Sequence, residues 1–557
     1  MTWFAGEDLD GFSQRSSLKG MGLSDEAFEG RPIIGIANSF SDYVHCNAHF
    51  RALVTHVRRG VEQSGGLALE FPVTSLGEPF MAPTTMLFRN LMAMDVEECV
   101  RAYPMDAVVL LGGCDKTIPA MIMGALSADR PAIMVPGGPQ LNATFDGADV
   151  GTCTDCWLAA ESVRAGRSTR ADQRRLEDAI IRSAGHCSTM GTASTMASLA
   201  EAMGFTLAGA AATPAVDARH ARLAERAGRV AVDLAKNGHR PSDFFGQASL
   251  TNAMTVLQAL GGSTNAVVHL AAIAGRAGLD WDLGTLDRIG RETPWLVNLK
   301  PSGRFLMEDF FEAGGVPALL SELRDHLDLS AGTVEGVTLG ERLPERGSGR
   351  ADVIAPVSAP LDPAGAIRVV RGSLAPRGAV IKVTAGTPEL YDHTGPAVVF
   401  DGPEDLERRL EDPATGIVPE SVLILRGLGP VGAPGMPERG HVPIPTHLLR
   451  QGVTDMVRIS DARMSGTAYG TCVLHVTPEA ALGGPLALVK DGDLVRLDVA
   501  GGRLDLLIEE EELAARAAAM GPSPRRAGRG YQGLYVRHVL QADQGCDFDF
   551  LRRDGEI

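Results

Sequence analysis

The chain has 557 residues, 45% hydrophobic and 22% charged, an ordinary globular balance over a length that implies more than one domain. Lys and Arg number 52 against 69 Asp and Glu, and the formal net charge of −17 argues against nucleic acid or an anionic membrane surface as partner. Without a basic-then-apolar leader or an uncharged stretch of membrane length, the expectation is a cytoplasmic protein whose eight cysteines are thiols or metal ligands rather than disulfides.

Residues 1–30 are polar and glycine-bearing, with no clear periodicity. Pro32 to Asn38 reads as a buried strand feeding a loop, Ser39 to Asn47, that carries Asp42, His45 and Cys46. Phe50, Leu53, Val54, Val57 and Val61 then have helical spacing. A second strand around Leu69 to Thr74 ends in Ser75-Leu76-Gly77-Glu78-Pro79. The third, Val108 to Leu111, is continuously apolar and therefore buried on both faces. It runs through Gly112-Gly113-Cys114-Asp115-Lys116 into a helix opening at Thr117 and Pro119. Pro131 to Val135 gives a fourth strand. Strands alternating with helices predict an α/β protein with a doubly wound, mostly parallel sheet, whose ligands bind beyond the carboxyl ends of the strands. Cys114, Asp115 and Lys116 would lie there, although a structural turn also takes Gly and Asp.

The small-residue run from Thr195 to Val216 reads as a buried helix and strand. From Ala171 to about Lys300 the pattern is largely helical, with glycine-rich turns at Ala184 to Ala193 and Leu260 to Asn265. Both turns look like helix N-termini with exposed amides, suited to a cluster or an anion. Periodicity is lost between Arg342 and Ala366, which reads as a linker. Short β-like runs follow at Ile367 to Val370, Ala379 to Val383, Ala397 to Phe400 and Val422 to Leu425. Leu494 to Val499 and Arg503 to Ile508 form a hairpin through Ala500-Gly501-Gly502. A small β-rich barrel or sandwich is expected for this half.

Cys46, Cys114 and Cys187 each follow a predicted strand or open a glycine-rich helix start. Three thiolates are one fewer than a structural zinc or an ordinary iron–sulfur cluster takes, and an incomplete set would leave one iron free as a Lewis acid. Buried packing cysteines fit the same spacing. Cys153-Thr154-Asp155-Cys156 is a lone C-x-x-C, a redox pair or half a zinc site with no second pair beside it, and is left outside the ligand set. Cys99, Cys472 and Cys546 read as packing residues. Glu78, Asp115 and Glu438 offer hard oxygen ligands suited to Mg²⁺. In Ile459 to Gly470, Ser465 followed by Gly466 reads as a nucleophile or base, or as a plain turn.

On Cys46-Asn47, Gly112 to Lys116, Cys187 to Met196, Gly261 to Asn265, Gly435 to Glu438 and Ser460 to Gly470, the chain resembles the dihydroxy-acid dehydratase/phosphogluconate dehydratase family, and within it the sugar-acid (aldonate) dehydratases. The resemblance runs along nearly the whole chain, with His45 standing where many members carry proline. It implies an N-terminal α/β domain (residues 1–360), a C-terminal swivelling β-barrel-like domain (residues 361–557) and an active site between them. It also implies a [2Fe–2S] cluster on Cys46, Cys114 and Cys187, and Mg²⁺ on Glu78, Asp115 and Glu438 with a carbamylated Lys116 in the metal shell. Ser465 would be the base, and the protein a homodimer or homotetramer. The implied activity is a hydro-lyase converting a free pentonate or hexonate to a 2-keto-3-deoxy acid. Thr467 and Tyr469 would bond the polyol, whereas branched-chain enzymes typically read Asp-Gly-Arg-Phe-Ser-Gly-Gly in this region. A branched-chain dihydroxy-acid or 6-phosphogluconate dehydratase is the alternative. An electron carrier would want four thiolates and no Mg²⁺ carboxylates.

Overall fold

A computed structural model describes residues 3–344, 347–521 and 528–553. The N-terminal stretch, aperiodic in sequence, forms α1 (Leu9–Gly20), capped by the Asp8 carboxylate on the Gly11 amide, and α2 (Asp25–Phe28). The four expected strands form within two residues of their expected bounds, as β1 (Ile33–Asn38), β2 (Leu67–Pro72), β3 (Ala107–Gly112) and β4 (Ala132–Pro136). They pair in parallel in the order β2-β1-β3-β4, with α3 (Phe50–Gln63), α4 (Met86–Ala102) and α5 (Thr117–Ala128) as crossovers. Every residue of β1, β3 and β4 is buried, which is why these strands are apolar without alternation. Strand order reverses between β1 and β3, so the loops carrying Cys46 and Cys114 leave the sheet side by side.

A ribbon of β5 (Ala143–Phe145) and β6 (Ala148–Val150) leads to α6 (Thr154–Arg164), α7 (Arg170–Ile180) and α8 (Thr192–Ala202). Then come α9 (Ala218–Asn237), α10 (Pro241–Phe244), α11 (Gln247–Ala259) and α12 (Asn265–Ala277). The strand expected before Val216 does not form. Glu201, buried at the end of α8, accepts from the Gly209 and Ala211 amides at 2.7 and 3.0 Å, holding this small-residue segment in turns. Residues 345 and 346 of the expected linker lie outside the described residues. Elsewhere the linker is pinned: Asn298 N donates to Val353 O and Trp295 N to Asp362 O, both at 2.9 Å.

The C-terminal sheet contains β7 (Ile367–Val370), β8 (Gly378–Lys382), β9 (Asp392–Asp401), β10 (Val422–Arg426), β11 (Arg458–Ser460), β12 (Cys472–Thr477), β13 (Leu494–Asp498) and β14 (Arg503–Leu506). Its order is β14-β13-β9-β10-β11-β12-β8-β7. Arg371, just past β7, donates to Gly502 O and accepts from Leu504 N, both at 2.9 Å, drawing the two edges into a nearly closed barrel. β11 and β12 had no signature in the sequence reading, because although both are fully buried, Arg458, Ser460, His475 and Thr477 interrupt the apolar run. Successive residues of β8 and β12 face opposite ways. Ile381 and Val473 enter the barrel core, while Val380 and Leu474 join the α/β core together with Met464 and Ala468. The Ser465 loop is thereby clamped between the two halves. Among the described residues no helix is long and apolar enough to cross a membrane.

Candidate active site

The loops after β1, β3 and β4 nest at the reversal of strand order. A Cβ on Gly113 would stand 2.7 Å from Asn47 Oδ1 and 2.8 Å from Cys46 O, and one on Gly137 would stand 2.8 Å from Gly113 Cα. Glycine at both positions lets the Cys46 and Cys114 turns meet. The two thiols are buried against each other beside Val44. Hydrogen bonding with Cys114 outweighs burial and, with His45 Nε2 at 3.7 Å, lowers the Cys46 thiol to about 6. The same contact, together with burial, pushes Cys114 up. Cys187 reaches this end of the sheet because His186 N donates to Gly138 O at 3.0 Å and Gln140 N to His186 O at 2.8 Å. Cys153, which the sequence reading left aside, also lies here, its thiol interacting with those of Cys187 and Cys156.

Cys114 Sγ donates to Asp115 Oδ1 at 3.3 Å, so the thiols adjoin an acidic cluster. One carboxylate oxygen each from Glu78, Asp115 and Glu438 lies within 4.8 Å of the others. The fully buried Lys116 Nζ sits among them, 2.5 Å from Asp115 Oδ2, 2.7 Å from Glu438 Oε1 and 3.2 Å from Glu78 Oε2. Burial disfavours the Lys116 ammonium, but the three carboxylates prevail and its pKa is raised. Burial acts to raise Glu78 as well, yet Lys116, Arg463 and the Thr85 and Thr84 hydroxyls hold it at about 2. For Asp115 burial wins and the pKa is raised. Arg463 Nη1 and Asn265 Nδ2 donate to Glu438 Oε1 at 2.8 and 2.9 Å. Both residues lie in motifs singled out from the sequence, which assigned them no part in the site. Thr84 and Thr85 carried no sequence signal at all.

Ser465 Oγ lies 2.8 Å from Thr467 Oγ1. A Cβ on the adjoining Gly466 would stand 2.6 Å from both Thr192 N and Ser263 Oγ, so this loop rests on the N-terminus of α8. Thr154 Oγ1 donates to Thr467 O at 2.9 Å, and Asn265 Nδ2, which holds Glu438, also donates to Met464 O at 3.2 Å. One asparagine amide thus ties the serine loop to the acidic cluster. The positive end of α8 favours negative charge at Ser465. Tyr469 OH is engaged with Glu161 Oε2 at 2.5 Å, which leaves Thr467 as the hydroxyl beside Ser465. Gly466→Ala is expected to unseat the loop and lower kcat by about 10²-fold, as misplacement of a reacting group does. Steady-state kinetics check this, and an unchanged kcat would show that the seating is irrelevant.

The fold is that of a two-part α/β protein with thiols, three carboxylates and a buried lysine gathered where its halves meet. The chain matches the family models described as Dihydroxy-acid/6-phosphogluconate dehydratase N-terminal, over residues 31–342, and C-terminal, over residues 352–546. It belongs to the dihydroxy-acid/6-phosphogluconate dehydratase family and is a hydro-lyase. It is 50% identical to an L-arabonate dehydratase of Azospirillum brasilense, over 99% of this chain and 96% of that protein. Identity to a 6-deoxy-6-sulfo-D-gluconate dehydratase of Pseudomonas putida is 47%, with the same coverage. A dihydroxy-acid dehydratase of Moorella thermoacetica is 39% identical over 96% of this chain and 97% of its own.

Proposed function

We propose that the protein dehydrates a free aldonate, a pentonate or hexonate, to a 2-keto-3-deoxy sugar acid. The observation that carries this reading is the junction at Cys114-Asp115-Lys116, where one turn contributes a thiol to the cysteine set and a carboxylate and an amine to the acidic cluster. Cys46, Cys114 and Cys187 would hold a [2Fe–2S] cluster. Among the described residues no three thiols converge within 4.8 Å, which disfavours a single zinc ion and suits ligands divided between two irons. Glu78, Asp115 and Glu438 are the hard oxygen donors Mg²⁺ takes. Carbamylation of Lys116 would turn the cation that now balances them into a further anionic donor. When bound, these groups supply Lewis acidity, the cluster toward the leaving 3-hydroxyl and Mg²⁺ toward the carboxylate and 2-hydroxyl.

The chain's own residues supply the proton transfer. Ser465, ionised with support from the α8 N-terminus, takes the C2 proton onto Oγ, with Thr467 Oγ1 able to donate to it. The 3-hydroxyl leaves as water with a proton that the one taken onto Ser465 Oγ balances, and the enol that remains tautomerises to the 2-keto acid. Asn265 and Arg463 orient Glu438. We divide the chain at residues 360 and 361, a little inside the second of the family matches, which end at 342 and resume at 352. On the same family resemblance we assign the enzyme to the cytoplasm as a homodimer or homotetramer.

Two features favour a free aldonate. Relatives 50%, 48% and 47% identical are named as dehydratases of L-arabonate, L-arabinonate and 6-deoxy-6-sulfo-D-gluconate, and a 6-phosphate would need a basic cluster. Of the two arginines near the acidic cluster, Arg439 is exposed and stands alone among the described residues, and Arg463 is not free to join it: it is fully buried and bonded to Met436 O, Glu438 and Asn265. A pocket built to bond hydroxyls rejects an analogue lacking them by roughly 10⁴-fold. The test is kcat/KM for L-arabinonate, D-xylonate, D-galactonate, 6-deoxy-6-sulfo-D-gluconate, 6-phosphogluconate and 2,3-dihydroxyisovalerate side by side. An aldonate is expected to lead, and the reading is wrong if either of the last two is the best substrate.

A further inference from the structure

Cys153 caps α6 with φ +68° and ψ −41°, a left-handed conformation that costs a non-glycine residue about 1–3 kcal/mol. Its neighbours enforce it from both sides. Thr152 N donates to Ser188 Oγ at 3.3 Å, and Thr189 Oγ1 to Thr152 O at 3.4 Å, stitching this segment to the turn that carries Cys187. A Cβ on Gly151 would come within 2.4 Å of Thr189 Cγ2, so the two segments are in full contact. On the far side, the bond from Thr154 to Thr467 O holds the same segment against the Ser465 loop. Cys153 is therefore fixed between Cys187 and the reacting serine.

Cys46 and Cys114 are buried in contact, whereas Cys153, on the segment stitched to the Cys187 turn, interacts with the exposed Cys156 and with Cys187. A closed two-iron cluster takes four thiolates, two on each iron. We propose that Cys153 supplies the fourth thiolate of the substrate-free holoprotein, at the iron that Cys187 holds. The inference rests on the three-cysteine cluster assignment above. Ligation releases the Cys153 thiol proton to solvent and places a sulfur lone pair on the iron, and no electron is transferred. The chain would thus close its own open coordination position until a substrate takes it.

The test uses the full-length protein with its cluster reconstituted under anaerobic conditions, read by Mössbauer and resonance Raman spectroscopy without substrate. The variants are Cys153→Gly, which suits a left-handed φ and so preserves the fold, and Cys156→Ser. Wild type is expected to show both irons in all-sulfur ligation. Cys153→Gly should keep its visible colour on three thiolates while one of the two irons moves to oxygen ligation, and Cys156→Ser should match wild type. Identical spectra for Cys153→Gly and wild type would overturn the inference, as would a Cys156→Ser spectrum changed in the same way. A wild-type cluster with one iron already oxygen-ligated removes the inference but leaves the three-cysteine assignment standing, whereas a wild-type protein that assembles no cluster removes both.

Discussion

Replacing Ser465 by alanine is expected to lower kcat by roughly 10³-fold, within the range that general bases contribute, and to abolish exchange of the C2 proton with solvent. The loop should survive the change. Its seating uses Gly466 against Thr192, Thr467 O against Thr154 and Met464 O against Asn265, none of which involves the Ser465 hydroxyl. Visible absorbance and Mg²⁺ content should accordingly match wild type, which separates loss of a proton acceptor from loss of the site. Proton NMR of the substrate in D₂O, with the variant at high concentration, measures the exchange directly. Exchange at the wild-type rate would show that another group is the base, and Thr467, whose Oγ1 lies 2.8 Å from Ser465 Oγ, would be the first to examine.

Serine at Cys46, Cys114 or Cys187 is expected to abolish both turnover and iron–sulfur absorbance. Cys46 and Cys114 are buried in mutual contact, and Cys187 sits on a turn held by three backbone bonds, two to Gly138 and Gln140 and one from Gly185 N to His45 O at 3.4 Å. Cys153, being a ligand that substrate displaces, does not hold the cluster in place of any of the three. Serine at Cys156 should leave colour and turnover in place. Absorbance spectra and iron content of the anaerobically purified variants decide the matter, and a coloured Cys187→Ser protein would refute the assignment.

Where the sequence carried a period or a continuous apolar run bounded by turn residues, it placed the element. β1, β3 and β4 were legible because burial on both faces demands uninterrupted apolar residues, and α3 because five of its residues follow one helical stripe. The reading failed where burial is complete but the segment is short or small-residued. β11 spans only Arg458–Ser460, the apolar run of β12 is broken by the buried His475, and the run before Val216 is held in turns by the Glu201 carboxylate, a contact outside any local pattern. The first thirty residues hid α1 because its exposed faces are polar and few of its residues are buried.

The site divides the same way. The residue types and their positions at strand ends and glycine turns were visible in the one-dimensional pattern, since a turn beyond a buried strand must expose its side chains to whatever binds there. That Lys116 meets Glu438, 322 positions away, was decided by the barrel's return to the α/β sheet. That Asn265 and Arg463 steady Glu438 also depends on that return. Cys153 shows the limit most plainly. Its spacing to Cys156 suggested an isolated pair, and only the stitching of Thr152 to Ser188 and Thr189 brings it to Cys187. Local sequence encodes dihedral preference and burial period, but which loops touch is set by strand order and by glycines that permit close approach, and neither is written in the spacing of the residues that meet.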